Sequence, residues 1–247
     1  RDSVASRGLG DVYKRQTGPS MTGEAMTGEA MTGEPRRVAL PQRTVDSRLI
    51  VVARAKRAED YDAVLDVLVD AGIRSVELTL TTPGTFEHFP QLLARFGDTV
   101  DLGIGTVTNT ADLARAIEVG AAYIVTPITS TDFVTQATDA GVPIVPGGLT
   151  PTELFASWSA GASAVKVFPA GQVGPAYLKD LRGPFPDLVA VPSGGVDLAG
   201  AEAWLRAGAV AVSVGGPLLG DAFNGGDLAA LRERAAAFVE VCARDSA

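Results

Sequence analysis

Side chains that build metal sites and acid–base triads are scarce in this chain. Its 247 residues include one cysteine, Cys242, and one histidine, His88. A single cysteine excludes a disulfide within the chain and a cluster of cysteine metal ligands. One histidine disfavours a zinc site and a Ser-His-Asp triad, because both usually draw on histidine. We therefore expect a functional site without a metal ion.

Long hydrophobic runs and an excess of basic charge are also missing. No apolar run approaches the ~18 residues of a membrane-spanning helix, and the N-terminus has no apolar signal core. The net charge is −8 and the pI about 4.7, which argues against nucleic-acid binding. We expect a cytoplasmic protein with no membrane or nucleic-acid partner. A local anion site is compatible with this charge, so a phosphorylated substrate stays open.

The first 46 residues differ in composition from the rest of the chain. Near-identical units that begin Met-Thr-Gly-Glu start at Met21, Met26 and Met31. The segment is polar and rich in glycine and threonine, so it has little apolar surface to bury. We predict that residues 1–46 are a disordered or artefactual extension, with the true start at one of these methionines. Residues 47–247 are then expected to form one domain.

Apolar runs typical of strands alternate with helical patterns throughout that domain. The predicted strands are Leu49–Ala53, Ser75–Leu80, Val100–Ile104, Ala122–Val125, Pro143–Val145, Ala164–Phe168, Leu188–Val191 and Val210–Val214. The predicted helices are Ala58–Asp70, Thr85–Arg95, Thr110–Glu118, Ser130–Asp139, Pro151–Ser159, Pro175–Leu181, Leu198–Arg206 and Leu228–Ala243. Eight such units predict an α/β fold, a single-domain (β/α)₈ TIM barrel. The alternative is an open doubly wound sheet, but Gly103-Ile-Gly105 lacks the third glycine of a dinucleotide-binding turn.

Lys166 lies in the middle of the sixth predicted strand, between two valines. A charged lysine there is costly unless it is paired, and burial favours the uncharged amine. A neutral amine can attack a ketone and form a Schiff base. The alternative interpretation is a structural ion pair between Lys166 and a buried carboxylate.

Glu77 is the second candidate catalytic residue. In the second predicted strand, Glu77 shares one face with Thr79 and Thr81, while the apolar residues share the other. In a barrel the polar face lines the interior, where Glu77 and Lys166 could meet. A carboxylate placed there could shuttle protons; the alternative is again a buried ion pair.

Polar and glycine residues follow the predicted strands at their carboxyl ends, which is where barrel enzymes place their sites. After the earlier strands come Arg54, Thr81, Thr106 and Pro127, and after the last two come Ser193-Gly194-Gly195 and Gly215-Gly216. Glycines let backbone N–H groups approach an anion, so the last two turns predict a phosphate site. Arg54 could hold a carboxylate or a phosphate, or form a surface ion pair.

Several segments together resemble the bacterial 2-keto-3-deoxy-6-phosphogluconate (KDPG) aldolases. They are residues 76–83 around Glu77, 103–107, Pro146-Gly147, 165–170 around Lys166, 183–186 and 191–196. The similarity runs from about Leu49 to Val241. The family also includes 4-hydroxy-2-oxoglutarate (KHG) aldolases and the phosphogalactonate (KDPGal) enzymes. The resemblance implies a metal-free class I aldolase without a cofactor, built on a (β/α)₈ barrel and assembled as a homotrimer.

The resemblance also implies roles for individual residues. Lys166 matches the Schiff-base lysine and Glu77 the glutamate that transfers protons. Thr106 matches a threonine that contacts the pyruvate carboxylate, and Phe168 an aromatic residue beside the lysine. The residues that match the phosphate side are Ser193, Gly194 and Gly195, with serine in place of the more usual threonine. The implied reaction cleaves a 2-keto-3-deoxy sugar acid, KDPG first, to pyruvate and an aldehyde such as glyceraldehyde 3-phosphate.

Two positions depart from the family pattern. Thr81 stands where many members have an arginine that binds the substrate carboxylate, although Arg54 could compensate. Gly216 stands where many members have a serine that binds phosphate. The substrate could therefore be the KHG or KDPGal type. A barrel isomerase or decarboxylase and a non-catalytic sugar-acid-binding barrel are further alternatives.

Overall fold

The structure is a computed structural model that describes residues 35–243. Most of the predicted extension, residues 1–34, lies outside this range. In chain order the described elements are α1 (Gln42–Ser47), β1 (Leu49–Ala53), α2 (Tyr61–Asp70), β2 (Ser75–Thr79), α3 (Thr85–Phe96), β3 (Asp101–Gly105), α4 (Thr110–Glu118), β4 (Ile124–Val125), α5 (Thr131–Asp139), β5 (Ile144–Val145), β6 (Gly147–Gly148), α6 (Pro151–Ser159), β7 (Val165–Val167), α7 (Ala176–Arg182), β8 (Ala190–Pro192), α8 (Leu198–Arg206), β9 (Val212–Val214), α9 (Gly216–Leu219) and α10 (Leu228–Ala243). Short 3₁₀ turns cover Ala58–Asp60, Ala170–Gln172 and Ala222–Asn224. Within the described range, every helix is too short or too polar to span a bilayer.

The strands run parallel and close into a ring. Two sheets, β5-β4-β3-β2-β1-β9 and β6-β7-β8, meet at two junctions. At one junction Ser193 bridges Ser213 of β9. At the other, Pro146 alone separates β5 from β6, and its carbonyl accepts the N–H of Lys166 at 2.8 Å. The predicted barrel is confirmed, but its fifth strand is two pieces, since proline has no N–H with which to continue the ladder.

Alternate strand residues pack on the two sides of the ring. Outward residues, such as Val76 and Leu78 of β2, join the main apolar core beneath the helices. Inward residues form a smaller cluster inside the barrel, which includes Ile50, Tyr123, Val125, Val145, Ala164 and Val191. The strand alternation used to place Glu77 and Lys166 therefore follows the real division between the two cores.

Helix α1 covers the amino-terminal end of the barrel. The buried Thr44 donates to Asp101 Oδ2 from both its N–H and its hydroxyl, each at 2.9 Å. Thr44 also lies 2.9 Å from Ser75 Oγ, which donates to Tyr123 Oη at 2.9 Å. The prediction of disorder up to residue 46 is wrong for residues 42–46. These residues fold because Thr44 supplies hydrogen bonds that the buried Asp101 requires.

Capping residues fix where several of the helices begin. The side chains that accept a backbone N–H of the first turn are those of Asn109, Ser130, Thr150 and Asp197, ahead of α4, α5, α6 and α8. Each cap satisfies an N–H that has no partner within its helix. Helix α9 was not predicted, because its four residues, Gly216–Leu219, are too few for a periodic pattern.

Candidate active site

Lys166 and Glu77 approach each other across the inside of the barrel. Lys166 lies on β7 and Glu77 on β2, which stand on opposite sides of the ring. The distance from Lys166 Nζ to Glu77 Oε2 is 3.8 Å, and the two side chains are 9% and 1% exposed. The amine and the carboxylate therefore share one enclosed space at the centre of the fold.

This pair is not closed by a hydrogen bond. A separation of 3.8 Å exceeds hydrogen-bonding distance, and Glu77 Oε2 is buried without a partner among the described residues. Buried carboxylate oxygens usually have partners, so an open one needs an explanation. The geometry leaves both groups available to a third molecule, such as a water or a substrate.

Phe168 extends the site from Lys166 toward solvent. The centre of its ring lies 5.4 Å from Lys166 Nζ, and the residue is 39% exposed. Phe168 also lines an open pocket of about 340 Å³ at the carboxyl ends of the strands. Lys166 and Glu77 are not in the wall of that pocket and are far more buried than Phe168.

Seven of the predicted binding residues line this pocket. They are Arg54, Phe168, Ser193, Gly194, Gly195, Gly215 and Gly216. The structure thus brings together residues from the ends of β1, β7, β8 and β9, which are far apart in the sequence. Its position agrees with the expectation that barrel sites form at the carboxyl ends of the strands.

The Gly194-Gly195 turn exposes backbone to the pocket. Both glycines have positive φ, 84° and 78°, which side-chain-bearing residues rarely adopt. A Cβ on Gly194 would also come within 3.0 Å of the Phe168 ring. The described backbone hydrogen bonds of the turn use the carbonyls of Ser193 and Gly194, and none uses the N–H of Gly194 or Gly195. These N–H groups are thus available to an anion.

Arg54 is the only cationic side chain among the described residues that line the pocket. It is exposed and forms no ion pair with another described residue. The loop that follows it is fixed, since the Thr82 hydroxyl accepts the N–H of Ala55 at 3.0 Å and lies 3.2 Å from the Ala55 carbonyl. An unpaired cation in a chain of charge −8 is suited to an anionic ligand.

The other three predicted binding residues lie on the far side of the ring. Thr81, Thr106 and Pro127 follow β2, β3 and β4 and are not part of the pocket wall. The Thr81 hydroxyl lies 3.1 Å from that of Thr79. Thr106 has φ of 63°, a strained value for a β-branched residue. Strain of this kind is typical of functional positions.

Sequence reasoning missed several residues of the pocket. Ser213 accepts a hydrogen bond from Ser193 at 3.2 Å, while Phe223 and Asn224 enter the wall from the segment between α9 and α10. Ser213 was detectable, because it alternates with two valines in its strand as Lys166 does. Phe223 and Asn224 follow no strand and carry no such pattern. Their place depends partly on an edge-to-face contact between Phe223 and Tyr61 at 5.8 Å.

The described residues offer no cluster of ligands for a metal. Within residues 35–243 there is no group of three or more histidine, cysteine, aspartate or glutamate side chains arranged to hold a metal ion. Cys242 is buried in α10, and burial raises the pKa of its thiol to about 11. His88 pairs with Asp62 at 2.6 Å on the helical exterior.

Known proteins with similar sequences are aldolases. Residues 41–233 match the family described as KDPG and KHG aldolase. The 2-dehydro-3-deoxy-6-phosphogalactonate aldolase of Escherichia coli is 31% identical over 193 residues, which cover 78% of this chain and 93% of that protein. The 2-dehydro-3-deoxy-phosphogluconate aldolase of Pseudomonas aeruginosa is 32% identical over 157 residues, 62% of this chain and 70% of that protein.

A solved structure adds a chemical observation. The KDPG aldolase from Legionella pneumophila, with pyruvate captured as a covalent carbinolamine intermediate, is 25% identical to this chain. The match covers 81% of this chain and 95% of that one, with a TM-score of 0.68. The two proteins therefore share the same fold.

Proposed function

We propose that this chain, which belongs to the KDPG and KHG aldolase family, cleaves a 2-keto-3-deoxy sugar acid through a Schiff base on Lys166. The observation that carries the proposal is the open pair of Lys166 and Glu77, 3.8 Å apart inside the barrel. A structural ion pair would be expected to close to hydrogen-bonding distance and to satisfy both carboxylate oxygens. Here the amine and the carboxylate leave room for a reacting group.

The first half of the reaction builds the iminium. The neutral amine of Lys166 attacks the C2 ketone of the substrate and forms a carbinolamine. Glu77, which holds the proton that the Lys166 ammonium gives up on becoming neutral, returns it directly or through one water, and the hydroxyl leaves as water. The resulting iminium carries a positive charge and can accept an electron pair. The carbinolamine captured in the Legionella pneumophila relative supports this first step.

The second half breaks the carbon–carbon bond. Glu77 takes the proton of the C4 hydroxyl, the C3–C4 bond breaks, and its electron pair moves into the iminium to give an enamine. The aldehyde leaves. Protonation at C3 and hydrolysis of the new iminium release pyruvate and restore the Lys166 amine. The enclosure of both side chains keeps bulk water away from the enamine until the aldehyde has departed.

We infer the direction in which the substrate lies from the two sides of the ring. Gly194, Gly195 and Arg54 form the side toward β8, β9 and β1, where N–H groups and a cation suit a phosphate. Thr106 stands on the opposite side, beyond β3, where the family resemblance implies contact with the pyruvate carboxylate. The keto carbon then lies between them, at Lys166.

We propose KDPG as the substrate, with glyceraldehyde 3-phosphate as the aldehyde product. A second candidate is the C4 epimer, KDPGal, because the Escherichia coli relative with that name aligns over 93% of its length. The unphosphorylated KHG would leave Arg54 and the glycine turns without a ligand. We therefore rank it below both phosphorylated acids.

The test is pyruvate release from KDPG, KDPGal and KHG by the full chain under identical conditions. We expect a higher kcat/KM for a phosphorylated acid than for KHG, and for KDPG over its epimer. Preference for KDPGal would change the assigned stereochemistry. Preference for KHG would contradict the phosphate site, and release from none of the three would contradict the proposed reaction.

We also propose that the chain forms a homotrimer in the cytoplasm. The family resemblance implies a homotrimer, and the composition favours the cytoplasm. Light scattering of the purified chain should give the mass of three copies. A monomer with full activity would show that the site is complete in one chain.

A further inference from the structure

Glu77 occupies a space that exists only because residue 105 is glycine. A Cβ built on Gly105 would lie 1.9 Å from Glu77 Oε1 and 2.4 Å from both Cγ and Cδ. These distances are far below any non-bonded contact. An alanine at this position and the observed Glu77 side chain therefore cannot coexist.

The backbone of Gly105 has little freedom to move away. Gly105 pairs with Thr79 of β2, its carbonyl accepts the N–H of Leu80 at 2.9 Å, and the whole of β3 is buried. The φ of Gly105 is not in the positive range, so alanine is conformationally acceptable there. Lack of space, rather than backbone strain, makes this position a glycine. The group that must move is the Glu77 side chain.

We propose that Gly105 is a positioning residue that sets the distance between the Glu77 carboxylate and Lys166. Gly105 has no side chain with which to take part in the reaction. It acts through Glu77, and this inference rests on the proposed role of Glu77 in proton transfer. Adding one methyl group at residue 105 should swing the carboxylate out of its place opposite Lys166 while leaving Lys166 itself untouched.

Gly103, two residues earlier on the same inward face, is the matched control. Its added Cβ would lie 2.3–2.6 Å from three ring carbons of Tyr123. Both glycines belong to the buried β3, and neither has positive φ. Replacing either one with alanine adds the same methyl group inside the same strand. The nearest atoms to the added methyl group are those of Tyr123 at residue 103 and those of Glu77 at residue 105.

The experiment separates formation of the Schiff base from proton transfer. Borohydride trapping with pyruvate measures the iminium on Lys166 after equilibration. Exchange of the pyruvate methyl protons with deuterated water measures enamine formation, which needs a base. In Gly105→Ala we expect the ratio of exchange to trapping to fall about 100-fold or more, the contribution of a positioned acid–base group. In Gly103→Ala the ratio should stay near that of the natural protein.

A second measurement uses a variant that lacks the Glu77 side chain, the group that the new methyl group would meet. In the Glu77→Ala background the atoms that meet the new methyl group are absent, so Gly105→Ala should cost no further loss of thermal midpoint. In the natural background it should lower that midpoint or displace Glu77. This cycle does not need activity, so it remains informative even if Gly105→Ala alone fails to fold.

The inference is overturned if Gly105→Ala keeps the natural ratio of exchange to trapping. It is also overturned if its thermal cost is the same with and without the Glu77 side chain. Failure of the proposed function would look different: the natural protein itself would neither trap pyruvate nor exchange its methyl protons.

Discussion

Two sets of buried polar side chains, one toward each end of the barrel, differ in how completely they are hydrogen-bonded. At the amino-terminal end, Thr44, Ser75, Asp101 and Tyr123 form a continuous set of hydrogen bonds of 2.9 Å. Toward the carboxyl end, Glu77 Oε2 has no partner among the described residues, and the nearest cation, Lys166, is 3.8 Å away.

The contrast shows what each group contributes. A satisfied network stabilises the fold, since every buried donor and acceptor recovers what it lost with water. A buried pair with an unsatisfied oxygen costs stability. Such pairs are retained where a reaction or a ligand uses the open group. We infer that the hydrogen-bonded network around Asp101 is structural and, under the proposed function, that the pair of Lys166 and Glu77 is functional.

Loss of the Lys166 amine should have the largest effect. Lys166→Met keeps an unbranched chain of similar volume in a buried site, so the fold should persist. Activity on the preferred sugar acid should fall by about 10⁴-fold or more, as for removal of a nucleophile. Steady-state kinetics measures it, with Lys179→Met, an exposed lysine on α7, as the control. Substantial activity without Lys166 would contradict the assignment.

Replacing the Glu77 carboxylate with an amide should have the next largest effect. Glu77→Gln preserves shape but cannot accept or deliver the proton, so kcat should fall about 10²–10⁴-fold. Trapping of pyruvate on Lys166 should still occur after long incubation. Glu118→Gln, on the exposed side of α4, serves as control. If the kcat of Glu77→Gln equals that of Glu118→Gln, the pair of Lys166 and Glu77 is merely structural.

Breaking the hydrogen-bonded network around Asp101 should affect stability and not chemistry. Thr44→Val removes a hydroxyl that contacts Asp101 and Ser75, and a buried partner left unsatisfied costs about 1–3 kcal/mol. Denaturant titration should show this loss, while kcat changes less than twofold. Thr135→Val removes an exposed hydroxyl as the control. A large loss of kcat in Thr44→Val would erase the distinction between the two ends.

The smallest expected effect is a dependence of stability on alkaline pH. Burial raises the pKa of the Cys242 thiol from 9.0 to about 11 in the folded protein. Its contribution to stability is therefore complete below about pH 9 and is lost as the pH rises through about 11. Thermal midpoints between these values should fall less steeply in Cys242→Ala than in the natural chain. Equal pH dependences of the two thermal midpoints would show that burial does not hold the thiol in its protonated form.

Much of the fold follows from local patterns in the sequence. Strand alternation placed Glu77 and Lys166 on inward faces, and the strand-end rule gathered Arg54 and the glycine turns around one pocket. These rules succeed because the period of a strand is fixed, and because parallel strands present their carboxyl ends on one side.

What could not be predicted depends on contacts between distant segments. Helix α1 is held in place by hydrogen bonds between Thr44 and Asp101, and no periodic pattern in the sequence predicts this helix. Phe223 enters the pocket wall through its contact with Tyr61. The Gly103-Ile-Gly105 segment lacked a complete nucleotide-binding pattern. The space that its glycines leave for Tyr123 and Glu77 is visible only in the folded structure.

A peptide map of the chain after treatment with pyruvate and borohydride shows directly whether Lys166 is the nucleophile. We expect one modification, a reduced three-carbon acid unit on Lys166, even though more accessible lysines such as Lys56 and Lys179 compete. The modification should be absent in Lys166→Met. An unmodified Lys166, or label spread over the exposed lysines, would contradict the claim that the buried amine is the nucleophile.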